Sequence, residues 1–330
     1  MNNNRYRIQY YLTMSTPAST NQTADFVPVT STKALSLDPA TNSDHAMIGL
    51  KQKSIRIMAS NISNPQYHAY FASGPFATTH LNTSKIDPDP TKRAWLCAKI
   101  QIQLRDIVDG FLADDWDCYV IIEAYNQFID QLKTKLNNTG FGSSYQIVGT
   151  VDPADHANCK NKTIILVNLK RQHSLLCDSR IIIETYPKDR SDNQTSSLEI
   201  PVVRIKDLSN SKKISVFGIH LSGCDTQFPV NAITALKKIL TQHQTDNPSE
   251  EIIAIGDFNT VPKNIMAVMN GSNLSVMTPT YMTHINPRYE VVSYDNVVWT
   301  GLVAPIQLPL NEMDSGSQLF VRKLEEFVKS

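Results

Sequence analysis

Ile252-Ile253-Ala254-Ile255-Gly256-Asp257-Phe258-Asn259 is a short apolar run that stops on a carboxylate and a carboxamide. β-Branched and small apolar side chains bounded by Glu251 and Gly256 predict a strand buried on both faces. Gly256 admits a tight turn, so Asp257 and Asn259 emerge just past the strand end. Open α/β sheets keep their ligands beside strand ends of this kind. Asp and Asn are also ordinary turn residues. Spacing alone therefore leaves a plain polar turn and a functional edge equally open.

Working outward, the residues before this strand have helical spacing over Asn231–Gln242, and the run 214–219 predicts a strand ending in His220. Further strands are expected at 198–205, 175–185, Thr163–Leu169 and Gln146–Val151. Gln127–Leu136 reads as a helix, and Cys118–Ile122 as a strand ended by Glu123. Ala94–Leu112 carries apolar residues at 96, 100, 104, 107, 108, 111 and 112, which is helical spacing. Ala46–Leu50 and Ser54–Ala59 flank Lys51-Gln52-Lys53 as a β-hairpin. Downstream of Asn259 a loop is expected, then a strand over Val291–Thr300 and an amphipathic helix over 317–328. Residues 64–90 read as loop, and Pro187–Ser197 as an exposed loop. Strands predominate and no internal repeat appears. This order predicts a two-sheet core with helices outside, forming a single domain over 43–330 behind an irregular polar arm at 1–42.

The chain has 330 residues, with 31 basic and 31 acidic side chains. No net field therefore draws it onto nucleic acid or membrane, although a locally basic groove remains open. Cys97, Cys118, Cys159, Cys177 and Cys224 are scattered without a CxxC pair. That signals neither a zinc knuckle nor a redox motif and fits free buried thiols in a reducing compartment. No run approaches the roughly 20 apolar residues of a membrane span. MNNNRYRIQYYLTM lacks the plan of a signal peptide.

Four predicted strands end in a residue able to bind metal or phosphate: Asn61, Glu123, His220, and Asp257 with Asn259. Singly these are a turn opener, a solvated acid, a core histidine and a polar turn; together they point to one cleft. In this order the segments resemble the endonuclease/exonuclease/phosphatase (DNase-I-like) superfamily. IRIMASNI is similar to its opening strand, and CYVIIEAY to the strand ending in the metal-binding glutamate. VFGIHLSG is similar to its histidine strand end, IIAIGDFNTVP to its GDxN motif, and VVSYDNVVWTG to the later strand bearing an aspartate, here Asp295. The resemblance spans roughly residues 54–301 and implies a four-layer α/β/β/α sandwich. It also implies a closing Ser-Asp-His segment after the last strand, where this chain has no histidine. Taken literally, that absence describes a catalytically dead or truncated relative. Ser43-Asp44-His45, directly before the Asn61 strand, has the shape of the missing segment, so the expectation here is a circular permutation. Asp155-His156 and His284 are the rival histidines.

The resemblance implies a phosphoesterase that hydrolyses a phosphodiester or phosphomonoester by attack of metal-activated water. Mg²⁺, or alternatively Mn²⁺, would be held by Glu123 with Asn61 and Asp44. Asn61 and Asn259 would orient water and phosphate, Asp257 would position or deprotonate the water, and Asp295 would hold His45. His45 and His220 would share phosphate contact and acid–base chemistry. The implied substrate is nucleic acid or a phospholipid headgroup, with DNA, RNA, phosphoinositide and sphingomyelin all open. Lys160 and Lys162 are candidate phosphate contacts or plain solvated lysines. The competing class is a binding or scaffolding protein on the same fold without turnover. The Glu325-Glu326 pair resembles the tails of some translocated bacterial effectors, which is the alternative to a cytoplasmic location.

Overall fold

The structure is a computed structural model. It describes residues 48–52, 54–62, 108, 116–124, 126–142, 144–149, 162–171, 174–187, 195–208, 210–221, 229–277, 284–285, 291–301 and 305–307. In chain order the elements are β1 (Ile48–Gln52), β2 (Ile55–Asn61), β3 (Cys118–Ala124), α1 (Asn126–Asn138), β4 (Tyr145–Val148) and β5 (Lys162–Asn168). They continue with β6 (Ser174–Pro187), β7 (Thr195–Asp207), β8 (Lys213–His220), α2 (Val230–Asp246), β9 (Glu251–Asp257) and α3 (Pro262–Met269). Short strands β10 (Ser275–Met277), β11 (His284–Ile285), β12 (Val291–Val292), β13 (Asp295–Trp299) and β14 (Ile306–Gln307) complete them.

Two six-stranded sheets carry the fold, in the orders β14-β1-β2-β3-β5-β4 and β10-β13-β9-β8-β7-β6. Each holds one parallel pair, β2 with β3 and β8 with β9. The period-2 alternation of side chains explains why the sheets stack. In β3, Cys118, Val120 and Ile122 enter the layer between the sheets, while Tyr119 and Ile121 meet Phe128, Leu132 and Leu136 of α1. In β9, Ile253 and Ile255 face inward, while Ile252 and Ala254 pack with Ile233, Leu236 and Leu240 of α2. The layers run α/β/β/α, the DNase-I-like sandwich, and β9 is buried on both faces as its composition demanded.

Several boundaries differ from the sequence reading. The ribbon of β6 and β7 is longer than expected and runs into both ends of the Pro187–Ser197 stretch, pairing as far as Pro187 with Thr195. A ribbon open to water needs no apolar alternation, so Ser196 and Ser197 did not signal it. α3 stands where a loop was expected; Pro262 occupies its first turn, and eight residues are too few for a clear helical period. The expected strand over Val291–Thr300 is two strands, interrupted at Ser293 and Tyr294. Cys118 is a buried free thiol, but Cys177 is exposed, because a register shift between Leu176 and Asp178 turns it outward. Of Ala94–Leu112 only Val108 is described; it is helical and buried. The arm at 1–42, the helix at 317–328, Lys160 and His156 lie outside the described residues. Among the described residues no helix is long and apolar enough to cross a membrane.

Candidate active site

β2, β3, β8 and β9 all finish at one end of the sandwich, and β13 begins there. Asn61, the last residue of β2, is 1% exposed, and its amide joins the two sheets. Its Nδ2 donates to Asp257 Oδ2 at 3.1 Å and stands 3.3 Å from Glu123 Oε1. Glu123 is carried on a bulge, where the β3–β5 register shifts between Ile121 and Ala124. Its φ of 59° is left-handed, a state that costs an ordinary side chain about 1–3 kcal/mol. That turn sets its carboxylate toward β8, where His220 Nε2 lies 3.9 Å from Glu123 Oε1, beyond direct hydrogen-bond reach.

Asp257 is 1% exposed and fixed through both carboxylate oxygens. Oδ2 accepts from Asn61, and Oδ1 accepts from the Asn259 backbone N–H at 2.7 Å, a side-chain-to-backbone turn two residues long. Asn259 has φ 50°, which asparagine tolerates better than most residues, and donates Nδ2 to the Leu221 carbonyl at 2.6 Å. Its amide nitrogen is thus committed, and its carbonyl oxygen is the end it can offer a ligand. Gly256 makes the corner: φ is 146°, and a Cβ there would lie 2.1 Å from the Ile219 carbonyl oxygen. Only glycine lets β8 and β9 run this close while His220 and Asp257 sit side by side in register.

Asp295 is directly opposite Asp257 in the antiparallel β13–β9 pair and is 2% exposed. The structure therefore brings Asn61, Glu123, His220, Asp257, Asn259 and Asp295 to one place. Asp44 and His45 lie outside the described residues. His284 pairs with Val292 in the small β11–β12 ribbon, and Lys162 opens β5 opposite Ala124. Asn296 was missed from sequence. Fully buried, its Nδ2 faces the carbonyls of Thr260 (3.1 Å), Ser293 (3.0 Å) and Tyr294 (2.9 Å), tying the Asp257 loop to β13. An Asn beside the Asp of a strand start was the available signal, but the partner that reaches the Asp257 loop, Thr260, is distant in sequence.

A second polar cluster occupies the other end of β8, around Ser215. Arg180 donates to His243 Nδ1 at 3.1 Å, so Nε2 carries the ring proton and donates to Ser215 Oγ at 2.9 Å. Ser215 in turn donates its hydroxyl hydrogen bond to Glu250 Oε2 at 2.9 Å, and Arg204 holds both oxygens of that carboxylate. Burial, and then the Arg180 guanidinium, hold His243 below the ordinary histidine range against the opposing pull of Glu250. Burial alone would raise the Glu250 carboxyl, but the Arg204 and Ser215 hydrogen bonds and the guanidinium charge win, and it titrates below the usual value. This cluster binds β6, β7, β8 and α2 together and is remote from the strand ends above.

No family model and no curated protein matches the sequence. Among solved structures, a humanized D. rerio TDP2 is 12% identical over 80% of this chain and 87% of its own, with a TM-score of 0.47. The human Nocturnin catalytic domain with bound sulfate is 16% identical over 66% and 82%, with a TM-score of 0.45. A Bacteroides thetaiotaomicron mannosyl-6-phosphatase is 10% identical over 66% and 82%, with a TM-score of 0.46. Scores at this level carry no argument by themselves; the order of the motifs and the sheet topology do. By those two features the chain resembles the endonuclease/exonuclease/phosphatase superfamily and has its DNase-I-like fold.

Proposed function

We propose that the chain is a Mg²⁺-dependent phosphoesterase whose site lies at the ends of β2, β3, β8 and β9. One observation carries this reading: the Asn61 amide lies between the carboxylates of Glu123 and Asp257, which belong to opposite sheets, with His220 beside Glu123. Folding alone gives no reason to gather such groups, because buried acids cost stability unless something binds them.

The donor set suits a hard divalent ion. Glu123 would supply a largely buried carboxylate that keeps some access to solvent, and Asn61 and Asn259 amide oxygens, which fit Mg²⁺ or Mn²⁺ better than zinc. Among the described residues no group of three or more His, Cys, Asp or Glu is placed to hold an ion. Mg²⁺ would need few protein ligands, because it retains water and substrate oxygens in its shell. The ion would neutralise phosphate charge and acidify water. Asp257, clamped by Asn61 and the Asn259 N–H, would position or deprotonate the attacking water. His220 would donate to a phosphate or leaving-group oxygen. Asp295 and Asp257 are buried on paired positions, and two such carboxylates repel when both are ionised. An imidazolium beside them would remove that cost. The reading assigns this place to His45, with Asp44 adding charge near the ion. In support, β1 starts at the site end, with Ile48 opposite Ala59, two residues before Asn61. β1 thus begins beside the end of β2 that carries Asn61, which supports the permutation.

The test is hydrolysis of bis(4-nitrophenyl) phosphate by the wild type, Asp257→Ala and His45→Ala, with Mg²⁺ or with EDTA. The expected result is turnover by the wild type with Mg²⁺ alone. Equal rates in all three proteins would favour a non-catalytic scaffold on this fold.

A further inference from the structure

We infer that the outer part of the β6–β7 ribbon is the specificity wall of this site, receiving an uncharged apolar ester arm of the substrate. The inference rests on the phosphoesterase reading and names its substrate class. Register places the wall. Val202 pairs with Phe217, and continuing that β7–β8 register sets Glu199 beside His220. Glu199 pairs in turn with Ile183, and Pro201 with Ile181. Directly paired residues share a face. Ile183 with Glu199 and Ile181 with Pro201 are paired rows, and extending the β7–β8 register beyond its last pair, Val202 with Phe217, brings Gly218 to the lower row and His220 to the upper. A Cβ on Gly218 would lie 3.2 Å from Pro201 Cγ, which confirms the lower row. At about 4.8 Å between strands, Ile183 stands roughly 10 Å from His220 on the side of the cleft.

The alternate residues explain why this arm keeps its position. Ile182 and Tyr186 pack in the α2 layer, and Glu184 takes a 2.7 Å bond from Lys238. Asn231 donates to the Pro187 carbonyl at 3.1 Å. The ribbon is thus fastened on its helix face, while its cleft face leaves Ile181 45% and Ile183 65% exposed. Two exposed isoleucines on one face, continuous with a candidate site, are a binding surface rather than scattered surface apolar residues. Glu199, exposed between His220 and Ile183, decides the charge of what binds. A polynucleotide lying along this wall would bring successive phosphates past a carboxylate. A diester with one apolar arm would place its single charge at the strand ends and its hydrocarbon on Ile181 and Ile183.

The experiment is calorimetric titration of the full chain, with Mg²⁺, by dibutyl phosphate and by dimethyl phosphate. Burying most of three extra methylenes makes dibutyl phosphate bind about tenfold tighter or more. Ile181→Thr/Ile183→Thr keeps β-branching in the strand; it should erase that preference and leave dimethyl phosphate unchanged. Glu199→Lys should raise affinity for octathymidylate several-fold. Equal binding of the two esters by wild type, or a preference that survives the double substitution, overturns the inference while leaving the phosphoesterase reading standing. Failure of both esters to bind overturns that reading and the inference with it. If the double variant loses only co-sedimentation with phosphatidylcholine vesicles, the isoleucines face a membrane surface and the inference is overturned.

Discussion

One strand, β8, connects two polar clusters built on different rules. At its start Ser215 joins a network in which each charge meets an opposite charge or a matched hydrogen-bond partner: Arg204 with Glu250, and Arg180 donating to His243 Nδ1. At its end His220 faces Glu123, whose neighbour Asp257 is fixed by an amide and a backbone N–H. Guanidinium pairing at the first end holds β6, β7 and α2 in place. At the second, the Asn61 amide and the Asn259 backbone N–H orient Asp257, and His220 Nε2 stands 3.9 Å from Glu123 Oε1. The first end serves the fold; the phosphoesterase proposal gives the second end to an ion and a phosphate ester.

The contrast predicts opposite phenotypes. Asp257→Ala should lower turnover of bis(4-nitrophenyl) phosphate about a thousandfold and leave the thermal midpoint unchanged or higher. A large loss of stability would show that Asp257 belongs to the structural end. Glu250→Ala should do the reverse: it should cost about 3 kcal/mol in urea unfolding, because the Arg204 guanidinium loses its buried partner. Activity per folded molecule should be retained. Gly256→Ala links the two effects. The added methyl meets the Ile219 carbonyl at 2.1 Å and a φ of 146°, so stability should fall by about 2–3 kcal/mol and activity with it.

The smallest effect is a pH dependence located at the far end. His243 has a folded pKa below 6.5, so on acidification the unfolded chain takes up that proton first. Its contribution is complete above about pH 6.5 and is lost as pH falls towards the folded value, with a slope of up to about 1.4 kcal/mol per pH unit. Glu250, also lowered, adds a loss of the same sign as pH falls below about 4.5. Urea unfolding at pH 7.5 and 5.5 should show this slope, and His243→Gln should flatten it. An unchanged slope in the variant would assign the effect elsewhere.

The two ends were not equally legible in the sequence. β9 was plain because both of its faces are apolar, and the site residues at strand ends followed from it. The bulge at Glu123 was not, because a register shift depends on β5, some forty residues on. Asn296 escaped for a similar reason: its amide reaches the Thr260 carbonyl 36 residues away, a contact that its neighbours in sequence do not announce. The His243 network draws on α2, β6, β7 and β8 at once, so no single stretch of sequence points to it. The outer ribbon of β6 and β7 was read short because its pairing is backbone-driven and half of its surface faces water.

The most direct test of the central claim is the thermal midpoint of the wild type and Glu123→Gln, each with EDTA and with Mg²⁺. If Glu123 is a charge held for an ion, Mg²⁺ raises the wild-type midpoint. Glu123→Gln then melts no lower than the wild type in EDTA and gains nothing from Mg²⁺. A Glu123→Gln protein that melts well below the wild type in EDTA, beside a wild type indifferent to Mg²⁺, would make Glu123 a structural residue and contradict the account.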